Sequence, residues 1–517
     1  MTLLRLAEQT SPDRDRYVDF LRGFSILVVV LGHWLIAVVT WQGGEVTGTN
    51  ALEQVRGLWM ATWVLQVMPL FFFVGGFSNL RSWRASVLRG GGYPAFLHGR
   101  LSRMMRPTVV FLGIGLIVTV TLDALNVADN VVFPASELIT RPLWFLGVYM
   151  IVVALAPVMI TLHERFGWRA AAGLALLAVI VDIARFGLDL GGIGYVNYPV
   201  VWLLAHQMGF LYADGTLNRW VSSLLAVGGI GAMIALVTLG PYPGSMVGLS
   251  TDEFSNMDPP TLGILALILW QIGLAMLLRE RVSRWLSRVR PWAGVIFVNS
   301  VIMTMFLWHL TAMLLGIGVL CPLGFPQPGV GTSSWWLLRP VWIAVLVILL
   351  AGFVALFGRF EQRGLLGRKP ALDIPPTPAA VITAALGAAM LVMGVLGFAM
   401  GGMHQLFSAE GADLIVFSLN PFQNVIHLLL GGLLMGASVR SAATVRLGAA
   451  TGAMALTALT VVGTLMNSGE ILNRLAANGA DNAFHGITTL VAFAAAAMAG
   501  LRTQSGAAAP ESADLAG

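Results

Sequence analysis

Two residues that are costly inside a lipid bilayer, Arg22 and His33, lie eleven residues apart in the first long apolar run of the chain. At 100° per residue that spacing is three full turns plus about 20°, so on a helix both side chains share a face. Asp19, three residues before Arg22, falls on it too. The eleven residues rise about 16 Å, which puts Arg22 near one interface and His33 well inside the hydrocarbon layer. A histidine at that depth must face protein or a water-filled cavity. An imidazole can take and return a proton, and a guanidinium holds anions, so this face suits acid–base chemistry or a substrate or proton path. The plainer alternative is that Arg22 snorkels to the interface against Asp19 while His33 bonds a neighbouring helix.

Other polar residues punctuate the apolar runs. His309 lies about as far along a later run as His33 does along the first, and both runs lead outward, so the two could share a cavity. The alternative is a Trp308–His309 pair that packs and bonds between helices. His206, in NYPVVWLLAHQMGF (Asn197 to Phe210), is assigned to structure. Asp182 and Arg185 are one turn apart and are expected to neutralise each other. Asn420, Asn424 and His427 fall at i, i+4 and i+7, and Asn482 and His485 open another run. These read first as polar bonds between helices.

The elements that must hold these residues are set by composition. Of 517 residues, 57% are hydrophobic and 11% charged, against about 25% charged in a soluble domain. The mean hydropathy of +0.81 has the same cause. With roughly 20 apolar residues per span, the chain has room for well over ten helices. The fold class is therefore an all-α polytopic integral membrane protein. The single cysteine, Cys321, excludes a disulfide framework and any cysteine-built zinc or iron–sulfur centre. No metal and no nucleic acid is expected. The net charge of +5 is almost all arginine, and its placement fixes a topology.

Arginines crowd the segments 14–16, 81–106, 279–290, 359–369 and 440–446, whereas Glu45, Glu53, Asp123, Asp129, Glu137, Asp252, Glu253 and Asp258 mark the alternate loops. The positive-inside rule makes the first set cytoplasmic. Fourteen spans follow, with both termini in the cytoplasm and the protein in the cytoplasmic membrane. The expected organisation is a cytoplasmic N-terminus (1–16), a membrane domain of about ten helices (17–358), a cytoplasmic linker (359–378), a four-helix membrane domain (379–502) and a disordered tail (503–517). The last four spans are rich in Ala and Gly and should pack closely.

An ordered set of motifs then carries a resemblance. YVDFLRGFSILVVVLGHW (Tyr17 to Trp34) resembles the opening of acyltransferase family 3, whose signature is an arginine, ten residues, then a histidine. MPLFFFVGGF (Met68 to Phe77) is similar to its Phe-rich second helix, with Gly75 where a small polar residue is usual. RLSRMMRP (Arg100 to Pro107), LWFL (Leu143 to Leu146) and FLWHLTA (Phe306 to Ala312) follow in the family's order over about residues 15 to 360. The last four spans are similar to a four-helix membrane domain of unknown function.

The resemblance implies acyl transfer from cytoplasmic acyl-CoA, most simply acetyl-CoA, to a hydroxyl of a sugar, glycan or lipid-linked acceptor, an O-acetylation of the cell envelope. His33 is then the candidate general base, Arg22 the holder of CoA phosphates or of an oxyanion, and Asp19 the residue that orients Arg22. Arg100, Arg103 and Arg106, before a Pro107 read as a first-turn residue, form a candidate donor rim. His309, Trp308, Trp144 and His206 are candidate cavity residues. The rival is a multi-pass transporter or flippase using the same intramembrane polar groups without covalent chemistry; broken helices and inverted repeats would favour it, and no repeat is evident.

Overall fold

The computed structural model describes residues 3–11, 13–42, 45–366, 376–408, 411–466 and 475–507. Its main helices are α1 (Arg16–Ile36), α2 (Met68–Leu88), α3 (Gly92–Ala124), α4 (Asp129–Thr140), α5 (Leu143–Phe166), α6 (Trp168–Gly187), α7 (Asn197–Ala213) and α8 (Arg219–Leu239). They continue as α9 (Leu262–Leu286), α10 (Val289–Ser300), α11 (Ile302–Leu320), α12 (Ser333–Leu366), α13 (Pro378–Gly401), α14 (Pro421–Ala437), α15 (Ala442–Met466) and α16 (Gly479–Ala507). Among the described residues twelve helical stretches are long and apolar enough to cross a membrane. The protein is an all-α, multi-pass membrane protein.

Two of the fourteen expected spans, α7 and α14, are shorter, at 17 residues each. In α7 the polar Asn197, His206 and Gln207 are fully buried. A helix wrapped in protein need not be apolar on any face.

Several boundaries differ from the hydropathy reading. The first apolar run reaches Val39, but α1 stops at Ile36 and the β-branched stretch after it forms a hairpin, Ala37–Gln42 against Glu45–Asn50. A second small ladder joins Ala412–Leu414 to Phe417–Leu419. Pro107 is not a first-turn residue: α3 starts at Gly92, and the proline sits inside a 33-residue helix. The ninth span does not start at Trp292, because the chain breaks at Val301 between α10 and α11. The linker expected over 359–378 begins as helix, since α12 runs to Leu366, and 367–375 lie outside the described residues. Likewise α16 runs to Ala507, and the expected tail beyond it, 508–517, lies outside them.

The chain forms two compact units. The first comprises Met1–Arg81, Arg106–Phe111 and Leu155–Gly367; the second comprises Ser82–Met105, Leu112–Ala154 and Arg368–Gly517. Within the first, Asp15 caps α1 by accepting from the N–H groups of Tyr17 and Val18, both at 3.1 Å, and Tyr17 donates to the Ala275 carbonyl of α9 at 2.5 Å. Helices α2 and α7 touch backbone to backbone. A Cβ on Gly76 would lie 1.9 Å from the His206 carbonyl oxygen, and one on Gly209 2.2 Å from that of Phe73. Within the second unit the same device joins α13 to α14, where a Cβ on Gly387 would meet the Met435 nitrogen at 2.8 Å.

Because those neighbours are backbone, they cannot give way as a side chain would. Gly209→Ala should destabilise the protein by about 1–3 kcal/mol, the usual cost of overpacking. Gly231→Ala on α8, where nothing lies within 4 Å, should be neutral. Thermal denaturation in detergent checks both.

Candidate active site

The first helix is held at its charged end by a short network. Asp19, buried, accepts from Arg14 Nε at 2.6 Å and from Arg22 Nη1 at 3.0 Å. Arg22 Nη2 also donates to the Ser78 hydroxyl of α2 at 2.6 Å, and Asn299 of α10 donates to the Asp19 carbonyl at 2.9 Å. One carboxylate between two guanidiniums leaves a positive balance at this end, with Arg22 fixed in direction and still partly exposed. The sequence reading named Asp19 as the partner of Arg22; Ser78 and Asn299 were missed. A hydroxyl one residue past the Phe-rich segment was the available signal for Ser78.

Three turns further, His33 and His309 meet. His33 Nδ1 lies 2.8 Å from His309 Nε2, with ring centroids 5.0 Å apart. The bond directions follow from what each atom can do. The Phe306 carbonyl only accepts, and it sits 2.6 Å from His309 Nδ1, so that nitrogen carries a proton. In a neutral ring His309 Nε2 then holds a lone pair and accepts from His33 Nδ1–H. The lone pair of His33 is left on Nε2. This tautomer is assigned by the network. Trp34 completes the lock by donating its indole N–H to the His309 carbonyl at 2.9 Å. His309 is fully buried, whereas His33 is partly exposed.

The position of His309 depends on how α11 begins. Glu361 of α12, buried, accepts from the N–H groups of Met303 and Thr304, at 3.1 and 2.9 Å, and from the Thr304 hydroxyl at 2.9 Å. A carboxylate at a helix N-terminus satisfies orphan donors and opposes the positive end of the dipole. It also explains why α11 starts at Ile302. Its position just past Phe360, among arginines read as cytoplasmic, hid this role.

One turn beyond the histidines lies a small cavity of about 70 Å³. Ala37, Met313, Ile317, Trp335, Arg339 and Trp342 are among its walls. Arg339 donates to the Trp34 carbonyl at 3.5 Å and lies 3.9 Å above the Trp335 ring. Cys321 also borders it, and burial raises its thiol above the ordinary range. Arg339 was missed because a lone arginine early in an apolar run reads as an interfacial anchor.

The other candidates go elsewhere. Trp308 stacks on Phe357 and Phe353 at 4.3 and 4.8 Å and meets Phe111 edge-on; it packs against α12 and does not join the histidines. His206 bonds Asn79 of α2 at 3.0 Å, a tie between two helices. His163, not singled out from sequence, lies between Asp214 at 2.6 Å and Gln207 at 2.8 Å. Asp182 does not pair directly with Arg185. Its oxygens accept from Asn197, Tyr242 and the Leu262 N–H, and the Arg185 guanidinium lies over Phe186 and Phe254.

Most of the remaining candidates lie in the second unit. Arg100 donates to the Tyr149 hydroxyl at 3.1 Å, while Arg103 and Arg106, the latter belonging to the first unit, project as exposed side chains. They lie on the α3 turns that precede Pro107, which extend the helix by about 22 Å before its apolar part. Trp144, at the start of α5, packs edge-on against Phe145. Asn420 caps α14 by accepting from the Gln423 N–H, and His427 bonds His485 at 2.9 Å across two helices.

Glu361→Ala would strip three donors of their acceptor and should cost about 1–3 kcal/mol, read as a lower denaturation midpoint in detergent. Glu361→Gln, which keeps one acceptor oxygen, should recover part of that loss.

A family model described as an acyltransferase domain matches residues 15–359, and one described as a domain of unknown function, DUF4383, matches residues 381–498. No curated protein and no solved structure matches the chain. The first model spans well over half of the sequence and contains Arg22, His33 and His309, so the chain belongs to acyltransferase family 3, with a DUF4383 domain following it.

Proposed function

We propose that the protein moves an acyl group, most simply acetyl, from cytoplasmic acyl-CoA to a hydroxyl of a sugar, glycan or lipid-linked acceptor, with His33 as general base. The observation that carries this reading is the lock from the Phe306 carbonyl through His309 to His33. It leaves an available lone pair on a partly exposed imidazole in a chain of acyltransferase ancestry.

The acceptor O–H gives its proton to His33 Nε2 as its oxygen attacks the thioester carbonyl. The charge that forms on the His33 ring is stabilised through Nδ1–H by the His309 lone pair. When the tetrahedral intermediate collapses, the C–S bond breaks and the proton on His33 passes to the departing CoA thiolate. Arg22 lies about 16 Å along the helix from His33, too far to reach an oxyanion formed there. That separation suits the CoA phosphates, joined to the thioester by the pantetheine arm, on the arginine-rich, cytoplasmic side. The small cavity beyond the histidines, lined mostly by apolar residues together with Arg339 and Gln327, lies on the acceptor side.

Purified protein in detergent, given labelled acetyl-CoA and an envelope glycan fraction, should release CoA and label the acceptor. His33→Ala should lower the rate by about 10²–10⁴-fold. His309→Gln, whose amide oxygen can still accept from Nδ1–H, should retain more activity than His309→Leu. Undiminished transfer by the His33→Ala protein would remove His33 from the mechanism.

A further inference from the structure

The second unit contains a group of side chains that acyl transfer does not use. Asp123 lies in the last turn of α3, Asp129 is the first residue of α4, and His404 follows α13 by three residues. One ligand atom of each lies within 4.8 Å of the others. His404 Nε2 is 3.6 Å from Asp123 Oδ1 and 3.4 Å from Asp129 Oδ1.

Three observations point to a ligand. The His404 side chain is only 5% exposed, yet its nitrogen is aimed between two carboxylates. Asp123 Oδ1 is shielded from solvent and has no hydrogen-bond partner. Among the described residues no arginine or lysine pairs with either carboxylate. Two converging negative charges therefore lack a cation other than the imidazole itself, and a charge-assisted hydrogen bond would draw the atoms to about 2.7–2.9 Å. His404 Nε2 reaches Asp129 Oδ1 only as a long hydrogen bond of 3.4 Å, and its two carboxylate spacings, 3.4 and 3.6 Å, match those of ligand atoms held at about 2.0–2.2 Å from one tetrahedral centre, roughly 3.3–3.6 Å apart.

The placement of His404 is built in. The Met403 carbonyl accepts from Thr119 of α3 at 3.1 Å, and the Met403 N–H donates to Ser136 of α4 at 3.4 Å. Phe133 meets the His404 ring edge-on. The three side chains line a cleft onto which Asn126 and Gln405 also open.

We propose that Asp123, Asp129 and His404 bind one divalent first-row transition ion, such as Zn²⁺ or Mn²⁺. The imidazole nitrogen argues against Mg²⁺ and Ca²⁺, which favour all-oxygen shells. Asp123 and Asp129 belong to the acyltransferase-family segment and His404 to the DUF4383 segment, so the ion ties the two together within this unit. On the loop-charge orientation the site faces outward.

Full-length protein stripped with EDTA and held in detergent would be titrated calorimetrically with Zn²⁺, Mn²⁺ and Ca²⁺. One equivalent of Zn²⁺ or Mn²⁺ should bind per chain, and its denaturation midpoint should rise. Asp129→Asn alters a side chain that is 73% exposed and should fold normally, yet weaken binding at least tenfold and abolish the rise. His404→Ala should do the same. Equal binding by wild-type, Asp129→Asn and Asp123→Asn proteins, or no binding by the wild type, would overturn the site. Ca²⁺ binding that survives His404→Ala would overturn the proposed class of ion.

Discussion

A polar group in the hydrocarbon layer has no water to bond, so it must be satisfied by the protein itself. That constraint organises the first unit. His33 turns to His309, His309 to the Phe306 carbonyl, Asp182 to Asn197, Tyr242 and the Leu262 N–H, and Glu361 to the start of α11. Apart from the His309–Phe306 bond within α11 and the Asp182–Tyr242 bond to a loop, these join separate helices or a helix end. The bonds that relieve the cost of burial therefore also fix the register of the helices, and with it the direction of the His33 Nε2 lone pair.

The architecture divides labour between polar ties and small residues. Glycines at 76 and 209 bring the α2 and α7 backbones together, which dispersion and close packing favour in lipid. Such contacts are apolar and carry no directional information. Direction comes from the sparse hydrogen bonds: Tyr17 to Ala275, Asn79 to His206, and Arg22 to Ser78. Around α1 they leave the arginine near one end of the helix and the histidine three turns on, each with a partner that orients it and each with some exposed surface.

Much of this was legible in the sequence because hydropathy and helical periodicity are local. The apolar runs became helices, and the eleven-residue spacing of Arg22 and His33 survived as a shared face of α1. What sequence could not supply was long-range pairing. Glu361 reads as one charge among arginines until the chain folds it under α11, some 57 residues away in sequence. The overhang of α3 ahead of Pro107 was missed because a helix does not end where its apolar part ends. The hairpin after Ile36 was missed because its β-branched residues are as apolar as the helix before them. Trp308 was grouped with His309 by adjacency, yet neighbouring residues on a helix point about 100° apart, and it stacks on α12.

The central claim is that His309 sets the tautomer of His33. Nitrogen-15 spectra of the histidine-labelled protein, with His33→Gln and His309→Gln proteins to assign the two rings, test it directly. The account predicts that both rings carry their proton on Nδ1 and that His33 Nε2 is bare. A His33 ring protonated on Nε2 with a bare Nδ1, or a His33 tautomer unchanged in the His309→Leu protein, would contradict it.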